Sequence, residues 1–159
     1  MLRIYLDSSA IVKRYLSEPG SSTMDYVSDK GWAGEASITT SIWNVGEVLG
    51  VFDEGRRRRW LSENEFVRVL ENLASETVRL LRLRILELYP LLTPILVEAW
   101  PLILKEYLYE ADVLQIQTAI HTKSNIFLSS DKRLIDAASK IGLKAIDVKD
   151  GDKARELIK

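Results

Sequence analysis

The most informative stretch of the sequence is Leu2-Arg-Ile-Tyr-Leu6, followed by Asp7 and Ser8-Ser9. The run is rich in β-prone residues, and the acid stands where the predicted strand ends. The two serines offer capping side chains for a helix over residues 10–16, which Pro19-Gly20 closes. A strand, an acid and a helix in immediate succession predict the first βα unit of a parallel sheet.

Short β-prone runs alternate with helical patterns along the rest of the chain. Further strands are predicted at 36–40, 85–89, 125–129 and 144–148, and further helices at 21–30, 41–52, after Ser62, from Thr93, at 111–122 and at 132–141. Gly55 is expected to end the helix over 41–52, and Pro101 to kink or split the helix that begins at Thr93. The alternation predicts one α/β domain over residues 1–159, in which helices cover both faces of a mostly parallel sheet.

The composition is that of an ordinary globular chain without an overall basic field. The formal net charge is −1, so contact with a polyanion must come from a local patch or from bound cations. The chain has no cysteine, which excludes disulfides, thiolate metal sites and a cysteine nucleophile. The charged start at Asp7 argues against a signal peptide, and Pro94, Glu98 and Pro101 interrupt the longest apolar stretch. No membrane span is therefore expected, and the cytoplasm is the expected location.

Four acids stand out by their positions. Asp7 and Asp131 each follow a predicted strand, and ligands of open parallel sheets bind beyond the carboxyl ends of strands. Asp112 opens a helix, where it is either a site residue or a charge that favours the helix N-terminus. The predicted inward side of that helix carries Val113, Ile116, Ala119 and Ile120. Glu47 lies among apolar neighbours in mid-helix, where it is either a buried acid in need of a partner or a solvent-facing residue.

Together these acids predict a site for a hard cation. At ~5 Å and an effective dielectric of ~20, each pair of carboxylates repels by roughly 3 kcal/mol, and a divalent cation reverses that sign. Because the chain has one histidine and no cysteine, any metal site here must use oxygen ligands, which Mg²⁺ and Mn²⁺ prefer. We therefore expect one or two such ions to bind among these acids.

Four segments resemble the motifs of PIN domains, especially those of VapC-type toxins, in order and spacing. They are Tyr5-Leu-Asp-Ser-Ser-Ala-Ile-Val-Lys-Arg14, Asn44-Val-Gly-Glu-Val48, Leu108-Tyr-Glu-Ala-Asp-Val-Leu-Gln-Ile-Gln-Thr-Ala119 and Phe127-Leu-Ser-Ser-Asp-Lys-Arg-Leu134. The similarity continues through Ile141-Gly-Leu-Lys-Ala-Ile146 and so covers nearly the whole chain. Each motif alone is weak, but all four in sequence are quite specific.

The resemblance implies a fold, an activity and a set of site residues. The fold would be a PIN-like three-layer α/β/α sandwich, and the activity Mg²⁺- or Mn²⁺-dependent cleavage of RNA. The metal-site acids would be Asp7, Glu47, Asp112 and Asp131. The hydroxyls of Ser9 and Ser129 would orient them by hydrogen bonds. VapC-type members usually form homodimers and are silenced by a cognate antitoxin protein, so both partners are expected here.

Basic side chains that could reach RNA phosphates are few. The candidates are Lys13 and the run Arg56, Arg57, Arg58 and Arg59. The run is equally open to interpretation as a solvated helix end or as part of an antitoxin interface. The segment 56–101 is longer than in the common short toxin pattern, so its role stays open. Gln115 and Gln117 are open to substrate contact.

Three other functions compete with the nuclease. A haloacid-dehalogenase-type phosphatase also begins with a strand-end aspartate, but it needs a second aspartate where this chain has Ser9. A phosphoacceptor receiver domain needs adjacent acids near the first strand, and none is present. A catalytically silent module of the same fold, binding RNA or protein, is the more serious rival. Such a module would typically have lost the acids that are all present here.

Overall fold

The central feature of the computed structural model, which describes all 159 residues, is a sheet of parallel strands. The strands are β1 (Leu2–Leu6), β2 (Ala36–Ser41), β3 (Leu86–Tyr89), β4 (Ile126–Ser129) and β5 (Ala145–Asp147). Their order across the sheet is β3-β2-β1-β4-β5, and every neighbouring pair is parallel. The predicted parallel sheet is confirmed, and each predicted strand lies within one or two residues of its observed bounds.

Eight helices connect and cover these strands. They are α1 (Ser8–Tyr15), α2 (Ser21–Trp32), α3 (Ile42–Arg57), α4 (Glu63–Arg82), α5 (Thr93–Glu106), α6 (Glu110–His121), α7 (Lys132–Lys140) and α8 (Gly151–Leu157). The short α8 was not predicted, since a polar segment that begins with glycine carries little helical signal. It begins because the Asp150 carboxylate accepts a hydrogen bond from the Lys153 amide. None of the helices combines the length and the apolar character that a membrane crossing requires.

Two expected helix interruptions are wrong. Helix α3 continues through Gly55 to Arg57, because that glycine makes room for packing and does not end the helix. A Cβ at this position would lie 2.7 Å from the Trp60 ring and 2.8 Å from Leu61. Helix α5 runs unbroken past Pro101. The expected inward position of Ile120 is also wrong, since 40% of its surface is exposed.

The sheet divides the interior into two cores, which confirms the three-layer α/β/α arrangement. Successive side chains of a strand point to opposite faces, so Ile4 and Leu6 enter one core and Tyr5 the other. The first core is completed by residues of α1, α2 and α8, and the second by residues of α5, α6 and α7. In the second core the rings of Tyr5 and Phe127 stack with centroids 5.3 Å apart.

The middle of the chain builds a third, smaller cluster. Val48 and Phe52 of α3 pack there with Leu73 of α4 and Val12 of α1. Helix α4, which begins at the predicted capping box of Ser62 and Glu65, therefore extends the layer that contains α1. The long segment 56–101 accordingly contributes α4 to the core, and β3 to one edge of the sheet.

The strand order places a crevice between β1 and β4. The chain adds β2 and β3 on one side of β1 and then crosses to add β4 and β5 on the other. The direction in which strands are added therefore reverses between β1 and β4, and ligands of parallel sheets bind at such a point, outside the carboxyl ends of the strands. Asp7 directly follows β1, and Asp131 follows β4 by two residues.

Replacing the buried Leu128 of β4 tests the importance of this central packing. Leu128→Ala should lower the free energy of unfolding by about 2–5 kcal/mol, because it removes apolar contacts and leaves a cavity. The half-exposed Val67 of α4 is the control, and Val67→Ala should change it by less than about 0.5 kcal/mol. Urea denaturation followed by circular dichroism measures both, and equal effects would contradict the proposed core.

Candidate active site

Asp7 is a buried carboxylate that four hydrogen bonds hold in place. Only 2% of the residue's surface is exposed. It caps helix α1, since its Oδ1 accepts from the Ala10 amide at 2.8 Å, whereas Ser8 and Ser9 had been expected to cap. Ser9 Oγ lies 2.7 Å from Oδ1 and 2.9 Å from Oδ2, and Ser129 Oγ donates to Oδ2 at 2.6 Å. Both serines named from the sequence therefore contact this acid.

The same two serines join the ends of β1 and β4. Ser9 Oγ accepts a hydrogen bond from the Ser130 amide at 2.8 Å, and Ser129 Oγ accepts one from the Asp131 amide at 2.9 Å. The carboxylate of Asp7 is thus linked through one hydroxyl to the backbone that leads into helix α7. The turn carrying Asp131 is positioned relative to Asp7 by these bonds.

The pKa of Asp7 is raised to about 6, chiefly by burial and to a smaller extent by the charge of Glu47. The hydrogen bonds from Ser129, Ser9 and the Ala10 amide act in the opposite direction, because they stabilise the ionised form. The carboxylate is therefore held in a fixed orientation, and burial makes its ionised form costly, a combination that is common at functional sites.

Asp131 and Asp112 stand at the starts of two neighbouring helices. Asp131 is exposed and caps α7, with Oδ1 accepting from the amides of Arg133 at 2.9 Å and Leu134 at 3.3 Å. Asp112 is partly buried in the first turn of α6. Desolvation raises the pKa of Asp112, the charges of Asp131 and Glu47 raise it further, and Arg133 lowers it. The two helix starts are therefore close enough to interact electrostatically.

Glu47 lies on α3 and is partly buried. It is therefore neither the fully buried acid nor the solvent-facing residue that the sequence left open. Its Oε2 accepts a hydrogen bond at 3.0 Å from Nε2 of Gln115, which lies on α6. Its charge acts on both Asp7 and Asp112. Glu47 thus connects the acid of the first strand with the acid of α6.

The four acids therefore form one electrostatically coupled group in the absence of a cation. They come from four separate helices, and no three of them are close enough together to form a ready-made metal-ligand cluster. The donors that these acids offer are carboxylate oxygens, the ligand type that hard cations such as Mg²⁺ and Mn²⁺ prefer.

The basic candidates are largely paired with acids. Lys13 is buried, and its ammonium lies 2.8 Å from Glu18. In the arginine run, Arg56 and Arg57 both bond to Asp53, and Arg58 bonds to Glu54, each at 2.8 Å. These contacts favour structural roles at a helix end, and RNA contact by Lys13, Arg56, Arg57, Arg58 and Arg59 stays a prediction.

Two glutamines that were open to substrate contact have protein partners instead. Gln115 holds Glu47, and Nε2 of Gln117 donates at 3.1 Å to the backbone carbonyl of Glu98 on α5. The spacing of residues on α6 gives one sequence signal for the contact of Gln115 with Glu47. Gln115 follows Asp112 by three residues and so lies on the same side of α6, but its partner on α3 could not be inferred from sequence.

Comparison with known families decides the assignment. The family model of the PIN domain matches residues 4–140, a range that includes all four acids. The chain belongs to the PIN-domain family. PIN domains are generally nucleases.

Solved structures share the fold of this PIN domain at low sequence identity. PAE2754 from Pyrobaculum aerophilum is 15% identical, with a TM-score of 0.64, and the alignment covers 98% of this chain and 96% of that one. The sarcin–ricin loop cleaving toxin VapC20 of Mycobacterium tuberculosis is 14% identical, with a TM-score of 0.60 and coverage of 88% and 95%. VapBC2 from Rickettsia felis, bound to a DNA fragment from its promoter, is 12% identical, with a TM-score of 0.62 and coverage of 92% and 98%. No curated protein matches the chain.

The raised pKa of Asp7 makes the stability of the metal-free protein depend on pH. Because the folded pKa of about 6 exceeds the ordinary value of 3.8, the folded state binds more protons than the unfolded state between these values. The contribution of Asp7 to the free energy of unfolding is therefore greatest below pH 3.8 and is lower by about 3 kcal/mol once the pH exceeds 6. Asp7→Asn should remove this fall.

Urea denaturation in EDTA at pH 4, 5, 6 and 7 measures the effect. The exposed Asp136 of α7 supplies the control, and Asp136→Asn should keep the pH dependence of the wild type. An unchanged pH dependence in Asp7→Asn would show that this carboxyl titrates normally.

Proposed function

We propose that this PIN domain is a Mg²⁺- or Mn²⁺-dependent endoribonuclease that hydrolyses RNA phosphodiester bonds, and that it is the toxin of a VapBC-type pair. The observation that carries the proposal is the electrostatic coupling of Glu47 to both Asp7 and Asp112 at the carboxyl edge of the sheet. Mutual repulsion at such a site is relieved by a divalent cation, and phosphodiester hydrolysis is a reaction that such cations assist.

The four acids share one part in the proposed site. Asp7, Glu47, Asp112 and Asp131 would hold the cation directly or through its waters. When bound, Mg²⁺ or Mn²⁺ supplies positive charge that stabilises the negative charge developing on the phosphate in the transition state and favours ionisation of the attacking water. Ser9, Ser129 and the Ala10 amide keep Asp7 aimed while no cation is present, so less reorganisation is needed when one arrives.

The silent module remains the second candidate function, and the coupled acids argue against it. A module that only bound RNA or protein would need Asp7 for the cap of α1 alone, which asparagine provides about as well without the cost of burying a charge. Replacement by a neutral residue would relieve that cost. Retention of the acid with its full set of hydrogen bonds therefore supports cation-dependent chemistry.

The proposed partners follow from the comparisons and from one exposed helix face. VapBC2 from Rickettsia felis was solved bound to a DNA fragment from its promoter, and this likeness to a VapBC pair supports a cognate antitoxin for this chain. Helix α5 and the residue after it expose an apolar stripe of Val97, Trp100, Leu104 and Tyr107, spaced three or four residues apart. An exposed stripe of this kind is typical of a protein interface, which supports a homodimer.

Neutralising one acid should abolish cleavage while the fold is retained. Asp7→Asn and Asp112→Asn should each lower the Mg²⁺-dependent cleavage rate on total RNA by about 100-fold or more, because each removes a charge from the site. Asp136→Asn, an exposed acid on α7, should cleave at the wild-type rate. Full activity in both site variants would refute the assignment of Asp7 and Asp112 to the active site. Mapping of the cut ends identifies the RNA substrate.

Cation binding can also be tested without a substrate. If Mn²⁺ binds only the folded state, a concentration of ~100 times Kd should add about 2.7 kcal/mol to the free energy of unfolding. Thermal melts with and without Mn²⁺ measure this gain, which should be much smaller in Asp7→Asn than in Asp136→Asn. A wild-type melting temperature that millimolar Mn²⁺ or Mg²⁺ leaves unchanged would count against the site.

A further inference from the structure

Gln115 makes an unusual contact for a buried side chain. The residue is only 2% exposed, and its Nε2 reaches from α6 to α3, where it donates to Glu47 Oε2 at 3.0 Å. Its other polar atom, Oε1, is buried and has no hydrogen-bond partner. One end of the amide is therefore satisfied by a site acid, and the other end is unpaired.

A buried acceptor without a partner destabilises the folded state relative to an apolar side chain of the same shape. Gln115 is 2% exposed, and methionine, which has a similar shape and no amide oxygen, would fill the same volume without an unpaired acceptor. The amide is therefore poorly explained by packing, and its contact with Glu47 offers the better explanation.

The neutral charge of the amide matches what a cation site requires. A lysine or arginine at this place would hold Glu47 as an ion pair and compete with an incoming cation. A glutamate would add repulsion to a group in which Glu47 already acts on Asp7 and Asp112. The N–H group of an amide orients the carboxylate and leaves its negative charge available to a metal.

The position of Gln115 on α6 supports the same conclusion. It lies three residues after Asp112, so the acid and the amide share one side of the helix. Asp112 acts on Glu47 through its charge, and Gln115 acts on it through a hydrogen bond. Helix α6 thus contributes both a site acid and the group that orients a second acid on α3.

We propose that Gln115 is a positioning residue, which fixes the Glu47 carboxylate for binding a divalent cation and is retained for that purpose at a cost in stability. This inference rests on the proposed cation-dependent function and adds to it a residue that touches neither substrate nor metal. It predicts that cation affinity and stability respond in opposite directions when the amide is removed.

Gln117 provides a matched control on the same helix. It is also buried, but its Nε2 donates to the backbone carbonyl of Glu98 and contacts no site acid. The variants Gln115→Met and Gln117→Met therefore remove the same chemical group from the same helix. Calorimetric titration of the full chain with Mn²⁺ alone at 25 °C measures affinity, and melts in EDTA measure stability.

The Gln115→Met variant should bind Mn²⁺ about 10-fold or more weakly than the wild type, on the scale seen when a partner of a metal ligand is lost. Its melting temperature without metal should equal or exceed that of the wild type. Gln117→Met should melt at a lower temperature, because it leaves the Glu98 carbonyl without its partner, and should bind Mn²⁺ with wild-type affinity.

Three outcomes would overturn the inference. Mn²⁺ affinity in Gln115→Met within twofold of a wild type that does bind would refute it and leave the proposed function intact. Equal losses of affinity in Gln115→Met and Gln117→Met would indicate a general effect on α6. A wild type that binds no Mn²⁺ would refute the proposed function, and this inference with it.

Discussion

The hydrogen bond from Ser129 to the buried carboxylate of Asp7 is the contact on which the site depends. It joins the ends of β1 and β4, the two strands between which the sheet reverses its direction of growth. A carboxylate removed from water must find donors, and here the donors come from the turns that carry the other site residues. Satisfying Asp7 therefore also positions the segment leading to Asp131, through the contact of Ser129 with its amide.

The acids that this contact helps to position also repel one another. Four acids bring like charges to one edge of the sheet, and the packing of the two cores holds the elements that carry them. Apolar burial over thirteen residues on each side of the sheet opposes this repulsion. The neutral amide of Gln115 fits this arrangement, because it orients Glu47 without cancelling its charge.

Local sequence patterns were reliable where a single segment decides the structure. The strand before Asp7, the capping box of Ser62 and Glu65, and the positions of the strands along the chain followed from composition and periodicity. They failed where side-chain packing decides. Gly55 remains helical because Trp60 and Leu61, which follow it closely in sequence, pack against it, and α8 forms on a polar segment whose Ala154 is buried in the first core. Helical periodicity and residue propensity do not report such packing.

The chain by itself determined the parallel α/β architecture and the identity of the acids. Strand ends, helix starts and the absence of cysteine are local or compositional properties. Only the tertiary structure decided how those acids are held. The hydrogen bond from Ser129 to Asp7, that from Gln117 to the Glu98 carbonyl and the reach of Gln115 to Glu47 depend on the relative placement of separate elements. Long-range packing sets that placement, so hydrogen bonds across 68 residues of sequence cannot be inferred from spacing.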